Sequence, residues 1–155
     1  MAKAIVLPTY GPDARFVEID GSLASLQEVV GGCIEPFDVP FDSSRTNPVP
    51  KGELFAYVND EGMYTCKPNR AVYANAYMER RGYLSMLDYS TPVREGDLYT
   101  ILFGDILIVR EEIDKKGGSR ILDCTDADMQ DALAAFGGVG SGAVEALLLG
   151  LTSHS

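Results

Sequence analysis

The stretch LYTILFGDILIV, residues 98–109, decides the fold class, because it joins two strongly β-forming runs through Gly104-Asp105. The runs Leu98–Phe103 and Ile106–Val109 consist almost entirely of β-branched, aromatic and leucine residues, which are enriched in strands. The glycine and aspartate between them indicate either a bulge or a tight turn. Two strands therefore stand at the centre of the predicted fold.

Further β-type runs extend this pattern toward the N-terminus. Residues 4–7 and 15–19 flank a Pro- and Gly-rich connection and predict an opening hairpin. Residues 53–58 and 63–66 flank a glycine-containing turn and predict a second hairpin. Four prolines within residues 36–52 predict a long loop. On the C-terminal side, two lysines and two glycines turn the chain back into a short run at 120–122.

Three capped segments predict helices between and after these strands. Ser22 caps a segment that Gly31-Gly32 ends, Asn69 caps residues 70–83, and Thr125 caps a segment that reaches Phe136. In the last segment Met129, Leu133 and Phe136 share one face, and the acidic residues Asp126 and Asp128 fall in the positive first turn.

These elements predict an α+β fold, a single domain with a largely antiparallel sheet and two or three short helices packed on it. The domain is expected to span residues 1–136. Residues 137–155 are expected to form a glycine-rich hinge and a short apolar helix whose leucines, within 143–151, dock on the same domain or on a second copy. A homodimer is the preferred version of this expectation.

Composition and charge exclude several classes of protein. The chain has 155 residues, of which 46% are hydrophobic, and a net charge of −10. A chain of this length buries about 68–70% of its unfolded surface, so neither metal nor disulfide is needed for folding. The negative charge disfavours direct duplex nucleic-acid binding. No apolar run approaches the ~18 residues of a membrane span, and the N-terminal run is too short for a signal peptide, so a cytoplasmic location is expected.

The sequence also offers no visible catalytic or metal-binding constellation. Cys33, Cys66 and Cys124 are widely separated, which predicts free and mostly buried thiols, and the one histidine, His154, lies near the C-terminus. A zinc site and a histidine-activated nucleophile are therefore excluded, and we expect no catalytic residue, no metal and no cofactor. The G-x-G-x-x-A pattern at 138–143 follows a helix and not a strand, so it indicates a hinge.

Arginines and tyrosines are concentrated in residues 70–94. This stretch suits either an anion or stacked-base site or, for its adjacent arginines, the basic last turn of a helix. The residues are Arg70, Arg80, Arg81 and Arg94, with Tyr73, Tyr77 and Tyr83 among them.

Three sequence blocks occur in a characteristic order. They are FVEIDGSLASLQEVVGGCIE at 16–35, YVNDEG at 57–62 with PNRA at 68–71, and FGDILIV at 103–109. Together they resemble the uncharacterised family called domain of unknown function 3846, over roughly residues 4–130. The resemblance implies a small cytoplasmic protein of bacteria, their phages or mobile elements, and it carries no assigned catalytic residue. The chain departs from the family pattern between Arg70 and Gly104 and after Phe136, where functions particular to it are expected.

The blocks admit a structural and a functional interpretation. Their glycines and caps are fold determinants, while Asn59, Glu61, Asn69 and Arg70 are the candidate ligand-binding residues, expected to converge on one side of the second hairpin. We therefore consider three functions. The first is a non-enzymatic interaction protein of a phage or mobile-element setting, the second an acidic DNA mimic that inhibits a DNA-binding enzyme, and the third a binder of a small ligand or nucleotide.

Overall fold

Two antiparallel sheets and three helices make up the computed structural model of the chain, which describes residues 1–9, 14–37, 52–62, 66 and 68–136. Most of the expected 36–52 loop, residues 63–65 of the expected return strand, the 138–143 hinge, the 143–151 helix and His154 lie outside the described residues. The strands are β1 (Ala2–Leu7), β2 (Arg15–Ile19), β3 (Ile34–Phe37), β4 (Glu53–Asn59), β5 (Pro68–Tyr73), β6 (Leu98–Phe103), β7 (Ile106–Ile113) and β8 (Ser119–Leu122), and the helices are α1 (Leu23–Val30), α2 (Ala76–Arg80) and α3 (Asp126–Phe136).

The larger sheet has the strand order β2-β1-β7-β4-β3, and β8 pairs with the C-terminal residues 110–113 of β7. The opening hairpin is confirmed, since β1 and β2 pair antiparallel from Ala2 opposite Ile19 to Val6 opposite Arg15. The smaller sheet consists of β5 and β6. All these pairings are antiparallel, so the predicted α+β class is confirmed.

The second hairpin is confirmed in its first strand, β4, and residues 63–65 of its expected return strand lie outside the described residues. Among the described strands, β3 pairs with one edge of β4 and β7 with the other. Cys66, at the end of the expected return strand, is not in a strand, and its N donates to Gly62 O at 2.9 Å.

Gly104-Asp105 is neither a bulge nor the turn of a hairpin, because β6 and β7 belong to different sheets. Gly104 has a φ of +81°, and a Cβ there would lie 3.1 Å from the Cys66 sulfur. Only glycine meets both conditions without strain. This residue therefore lets the chain pass from the smaller sheet to the larger one.

The helix expected over residues 70–83 is found only in part. Residues 68–73 pair with β6, and the helix that follows spans only residues 76–80, with Asn75 as its N-cap instead of Asn69. Pairing with the strongly β-forming Leu98–Phe103 run outweighs the weak helical pattern, since tertiary partners override local propensity. The other two helices are confirmed, α1 with Ser22 as its cap and Gly31 in the left-handed conformation.

Alternation along the central strand β7 divides the core into two layers. Leu107 and Val109 face α1 and pack with Leu26 and Val30. Ile106 and Ile108 face the other side, where they share a cluster with residues of both β5 and α3, including Val72 and Phe136. The larger sheet is thus covered on both faces, by α1 on one and by the smaller sheet with α3 on the other.

Candidate functional site

Two of the four predicted ligand-binding residues lie where β4 ends beside α1. Asn59 donates through Nδ2 to the carbonyl of Val30 at 3.3 Å, and its Oδ1 accepts from Glu61 N at 2.9 Å. A Cβ on Gly32 would lie 2.8 Å from the Asn59 amide nitrogen, so the second glycine of the pair after α1 makes room for this side chain. Asn59 therefore closes the end of α1, and the Glu61 side chain is exposed.

The other two residues, Asn69 and Arg70, lie in β5, a strand of the smaller sheet. Asn69 has none of its surface exposed, and its Nδ2 donates to the carbonyls of Leu7 at 2.7 Å and of Gly104 at 2.8 Å. Arg70 is also buried and donates through Nη1 to Asn69 Oδ1 at 2.9 Å. Asn69 is therefore a buried strand residue that ties β1 to the junction of the two sheets, and its predicted role as a helix cap is wrong.

Hydrogen bonds join the four residues in two pairs. Asn59 accepts from the backbone amide of Glu61, and Asn69 accepts from the guanidinium of Arg70. Asn59 lies on the α1 side of the larger sheet, where its strand neighbour Tyr57 also packs, whereas β5 belongs to the layer on the opposite side. Their convergence into one ligand site remains a prediction.

A buried ion pair, which the sequence analysis missed, joins β7 to α3. Arg110 Nε donates to Asp128 Oδ2 at 3.0 Å, its Nη2 donates to Oδ1, and its Nη1 donates to the carbonyl of Gly52 at 2.9 Å. Asp128 has no exposed surface and Arg110 has 6%. Hydrogen bonding to this carboxylate raises the pKa of Arg110.

This ion pair corrects the interpretation of the acidic run in α3. Asp128 accepts from Thr125 N at 2.8 Å and Thr125 Oγ1 accepts from Asp128 N at 3.2 Å, so the two residues form a reciprocal cap. Asp126 is exposed in the first turn as expected, but Asp128 and Asp131 are buried. The arginine at the end of the apolar run Ile106–Val109 was the available signal, because alternation places it on the same side as Ile106 and Ile108.

The three thiols differ in exposure. Cys33 is exposed, Cys66 is half-buried and Cys124 is buried, so the prediction of mostly buried thiols is wrong for Cys33. Burial raises the pKa of Cys124 to about 12, and the nearby negative charge of Asp128 adds to the effect. The Cys124 thiol is therefore protonated and unreactive at neutral pH.

One polar cleft of about 360 Å³ lies where the start of β1 meets β7 and β8. Its charged groups include Asp20, Glu111 and Arg120, and each already has a protein partner. Asp20 accepts from Ser22 N, the Glu111 carboxylate accepts from a tyrosine hydroxyl, and Arg120 donates to a neighbouring glutamate. These three charged groups of the cleft are therefore already hydrogen-bonded to neighbouring residues, and we assign no ligand to it.

The exposed apolar residues are unevenly placed. Of the eight large hydrophobic side chains that are exposed in the described part of the chain, five lie between residues 73 and 89. We call this group the aromatic surface, and its members are Tyr73, Tyr77, Leu84, Leu87 and Tyr89.

Contacts around Tyr77 link this surface to the core. The ring of Tyr77 meets that of Tyr83 edge-on at 6.3 Å, and Tyr83 in turn lies 6.2 Å from the buried ring of Tyr99. The guanidinium of Arg81 stacks over Tyr77 at 5.2 Å, so one of the arginines noted in the sequence is placed against an aromatic ring. Tyr77 is thus connected to the packed interior through Tyr83.

Within the described residues, no three His, Cys, Asp or Glu side chains lie close enough to hold a metal ion. No helix in that part of the chain is long and apolar enough to cross a membrane.

These features define a small α+β protein with a hydrogen-bonded polar interior and an exposed aromatic surface. The chain belongs to the family described as Domain of unknown function (DUF3846), whose model matches residues 2–137. No curated protein and no solved structure matches the chain.

Proposed function

We propose that this chain is a non-enzymatic interaction protein that binds a partner protein through the aromatic surface. The phage or mobile-element setting implied by the family resemblance is part of the same proposal. The observation that carries it is the concentration of five exposed large apolar side chains between residues 73 and 89. Tyrosine is enriched at the centres of protein interfaces.

The buried polar groups support this choice over an enzymatic one. Asn69 and Arg110 each donate to backbone carbonyls, and Asp128 accepts from both an arginine and a backbone amide. Groups engaged in this way hold elements together and do not face a substrate. The proposed binding surface therefore consists of exposed side chains and not of these buried polar groups.

The acidic run of α3 favours the interaction proposal over the DNA mimic. A DNA mimic presents carboxylates in place of a row of phosphates. Asp128 and Asp131 are buried, which removes two of the three acids in this run from the surface. The exposed tyrosines and leucines suit an apolar interface better than they suit a phosphate-like one.

The test is affinity capture from an extract of the source cells with three tagged proteins. They are the wild type, the double variant Tyr77→Ser/Leu87→Ser, and the control Leu23→Ser, which alters an exposed leucine on α1, across the larger sheet from the aromatic surface. We expect one protein to be retained by the wild type and the control and lost with the double variant. Equal retention by all three, or loss with the control alone, would exclude the aromatic surface as the binding site.

A further inference from the structure

Residues 83–93 form a narrow hairpin that carries three members of the aromatic surface, Leu84, Leu87 and Tyr89. Val93 N donates to Tyr83 O at 2.9 Å, and Ser85 N donates to Thr91 O at 2.8 Å. Between these two rungs Leu84 and Pro92 are opposite each other in an antiparallel bridge. The backbone of the hairpin is thus paired up to the start of its tip, residues 86–90.

The base of the tip is fixed to the core. Met86 N donates to the carbonyl of Tyr99 in β6 at 2.9 Å, and the Met86 side chain packs against the cluster between the sheets. Ser85 Oγ accepts from Leu87 N at 3.2 Å. Met86 therefore points inward, and the residues after it project from a held base.

Tyr89 has the one positive φ, +56°, among the non-glycine residues that the structure describes. A bulky side chain rarely adopts this left-handed conformation, and such residues persist only where the surroundings hold them. Here Tyr89 N donates to Ser85 O at 2.8 Å. Tyr89 is nevertheless 71% exposed, so packing of its own side chain does not explain the conformation.

Asp88 supplies the rest of the restraint. Its Oδ1 accepts from Ser90 N at 2.9 Å and from Thr91 N at 3.0 Å, and its Oδ2 accepts from the Thr91 hydroxyl. These bonds, led by the one from the Thr91 hydroxyl, lower the pKa of Asp88 to about 2. The tip therefore carries a fixed negative charge between two exposed apolar side chains, Leu87 at 47% and Tyr89 at 71%.

The charge of the chain selects the class of partner. Nucleic acids and anionic membranes are negative, and a second copy of this chain would bring the same net charge of −10. Each of these would meet the negative charge of Asp88 at the tip and the net negative charge of the chain, whereas the four arginines of residues 70–94 lie outside the tip. A protein surface with positive charge around an apolar pocket complements both the charge of Asp88 and the two side chains beside it.

We propose that the tip at 86–90 is a pre-organised anchor that inserts Leu87 and Tyr89 into an apolar pocket rimmed by Lys or Arg on a partner protein, with Asp88 as its positioning residue. This inference rests on the proposed function and assigns it to specific residues. A tip that is already ordered loses little conformational entropy when it binds, which favours affinity.

The probe is a phage-displayed library of a three-helix domain with randomised surface positions, selected on the immobilised wild-type chain. Binders are then titrated against Leu87→Ala, Tyr89→Ala and Tyr77→Ala, with Leu23→Ala as the matched control. We expect the first two variants to weaken binding by roughly tenfold or more each, as for interface anchors, and the control to leave it unchanged. We also expect Lys and Arg around the selected apolar positions and weaker binding at higher salt.

The outcomes separate this inference from the proposed function. Binders that depend on Tyr77 but tolerate both tip variants would overturn the anchor and leave the aromatic surface in place. Binders that depend on Leu23, or a selection without enrichment, would count against both proposals. Binders that contact the tip through acidic or uncharged residues around their apolar positions would overturn the proposal that the partner pocket is rimmed by Lys or Arg.

The role of Asp88 is tested separately with Asp88→Ala and Asp88→Asn. Asparagine retains an oxygen that accepts from the amides of Ser90 and Thr91, whereas alanine does not. We expect the heteronuclear NOEs of amides 87–91 to fall in Asp88→Ala and to stay near wild type in Asp88→Asn, with binder affinity following the same order. Asp88→Asn should also reduce the salt dependence of binding, because the charge is gone. Unchanged amide order in Asp88→Ala would overturn the positioning role.

Discussion

Replacing Asp128 with alanine leaves the guanidinium of Arg110 in the core without its carboxylate. In the folded protein that guanidinium donates twice to Asp128 and is only 6% exposed. Removing one partner of a buried, hydrogen-bonded ion pair costs about 3–5 kcal/mol, because the remaining charge stays desolvated. The same change deletes the acceptor of Thr125 N at the start of α3, a capping contact that contributes about 1 kcal/mol.

The assay is equilibrium unfolding in urea. A loss of about 5 kcal/mol, divided by an m-value of about 2 kcal/mol per molar, lowers the unfolding midpoint by about 2.5 M. Since domains of this kind have about 5–15 kcal/mol of stability in total, the variant retains about 0–10 kcal/mol.

Two variants serve as controls for this prediction. Asp126→Ala alters an exposed acid in the same first turn, so only a helix-dipole contribution of about 0.3–1 kcal/mol is lost. The double variant Arg110→Met/Asp128→Leu removes both charges together and should recover most of the stability. If Asp128→Ala costs no more than Asp126→Ala, or if the double variant is less stable than Asp128→Ala, the ion pair does not hold α3 on the sheet as argued.

Three further predictions concern buried groups. Alkylation of the native protein should label Cys33 well before Cys124. Cys33 is exposed, whereas Cys124 is buried and its burial raises the pKa of the thiol to about 12. Equal labelling rates would contradict the assigned burial. Burial and then the Glu111 carboxylate raise the pKa of Tyr57 to about 12, above the ~10 of an unfolded chain. The folded state therefore binds this proton more tightly, so its stabilising effect is present below pH ~10 and is lost between about pH 10 and 12. Glu111→Gln should shift the phenolate absorbance titration to lower pH, and an unchanged curve would refute the coupling. Asn69→Ala deprives two buried carbonyls of their donor and should cost about 1–3 kcal/mol in urea unfolding, whereas a neutral result would show that water or a shifted backbone replaces the amide.

Elements with local signals were predictable from the sequence. The opening hairpin has a Pro- and Gly-rich connection, α1 lies between Ser22 and a left-handed Gly31, and α3 starts at Thr125. Each of these depends on atoms a few residues apart. Caps and turns therefore appear in the sequence at the place where they act.

The choice of strand partners was not predictable in the same way. Strand β4 was expected to fold back on the next segment, but its partners β3 and β7 come from both sides in sequence. Residues 70–73, the start of the expected helix, become part of a strand because β6 offers a partner. Such choices depend on burial across the whole core, which a local pattern does not encode.

The roles of the candidate site residues could not be predicted from the sequence for the same reason. Asn69 receives its role from carbonyls 62 and 35 residues away, and Asp128 from an arginine 18 residues away. The sequence predicted Asn69 as a helix cap and Asp128 as an acid in the first turn of a helix capped by Thr125, and Asp128 takes part in that cap. The longer-range partners that bury them are visible only in the folded chain.

The two kinds of polar network in this protein differ in a way that bears on its function. Asn69 and Arg110 join elements distant in sequence, so altering them disturbs the packing of whole layers. Asp88, in contrast, bonds only to Ser90 and Thr91, and the tip that it holds is exposed. Side chains on a locally restrained tip can be exchanged without affecting the core, since substitutions at separate sites act independently. On the proposed function, this separation lets residues 87–90 change partner specificity at little cost in stability.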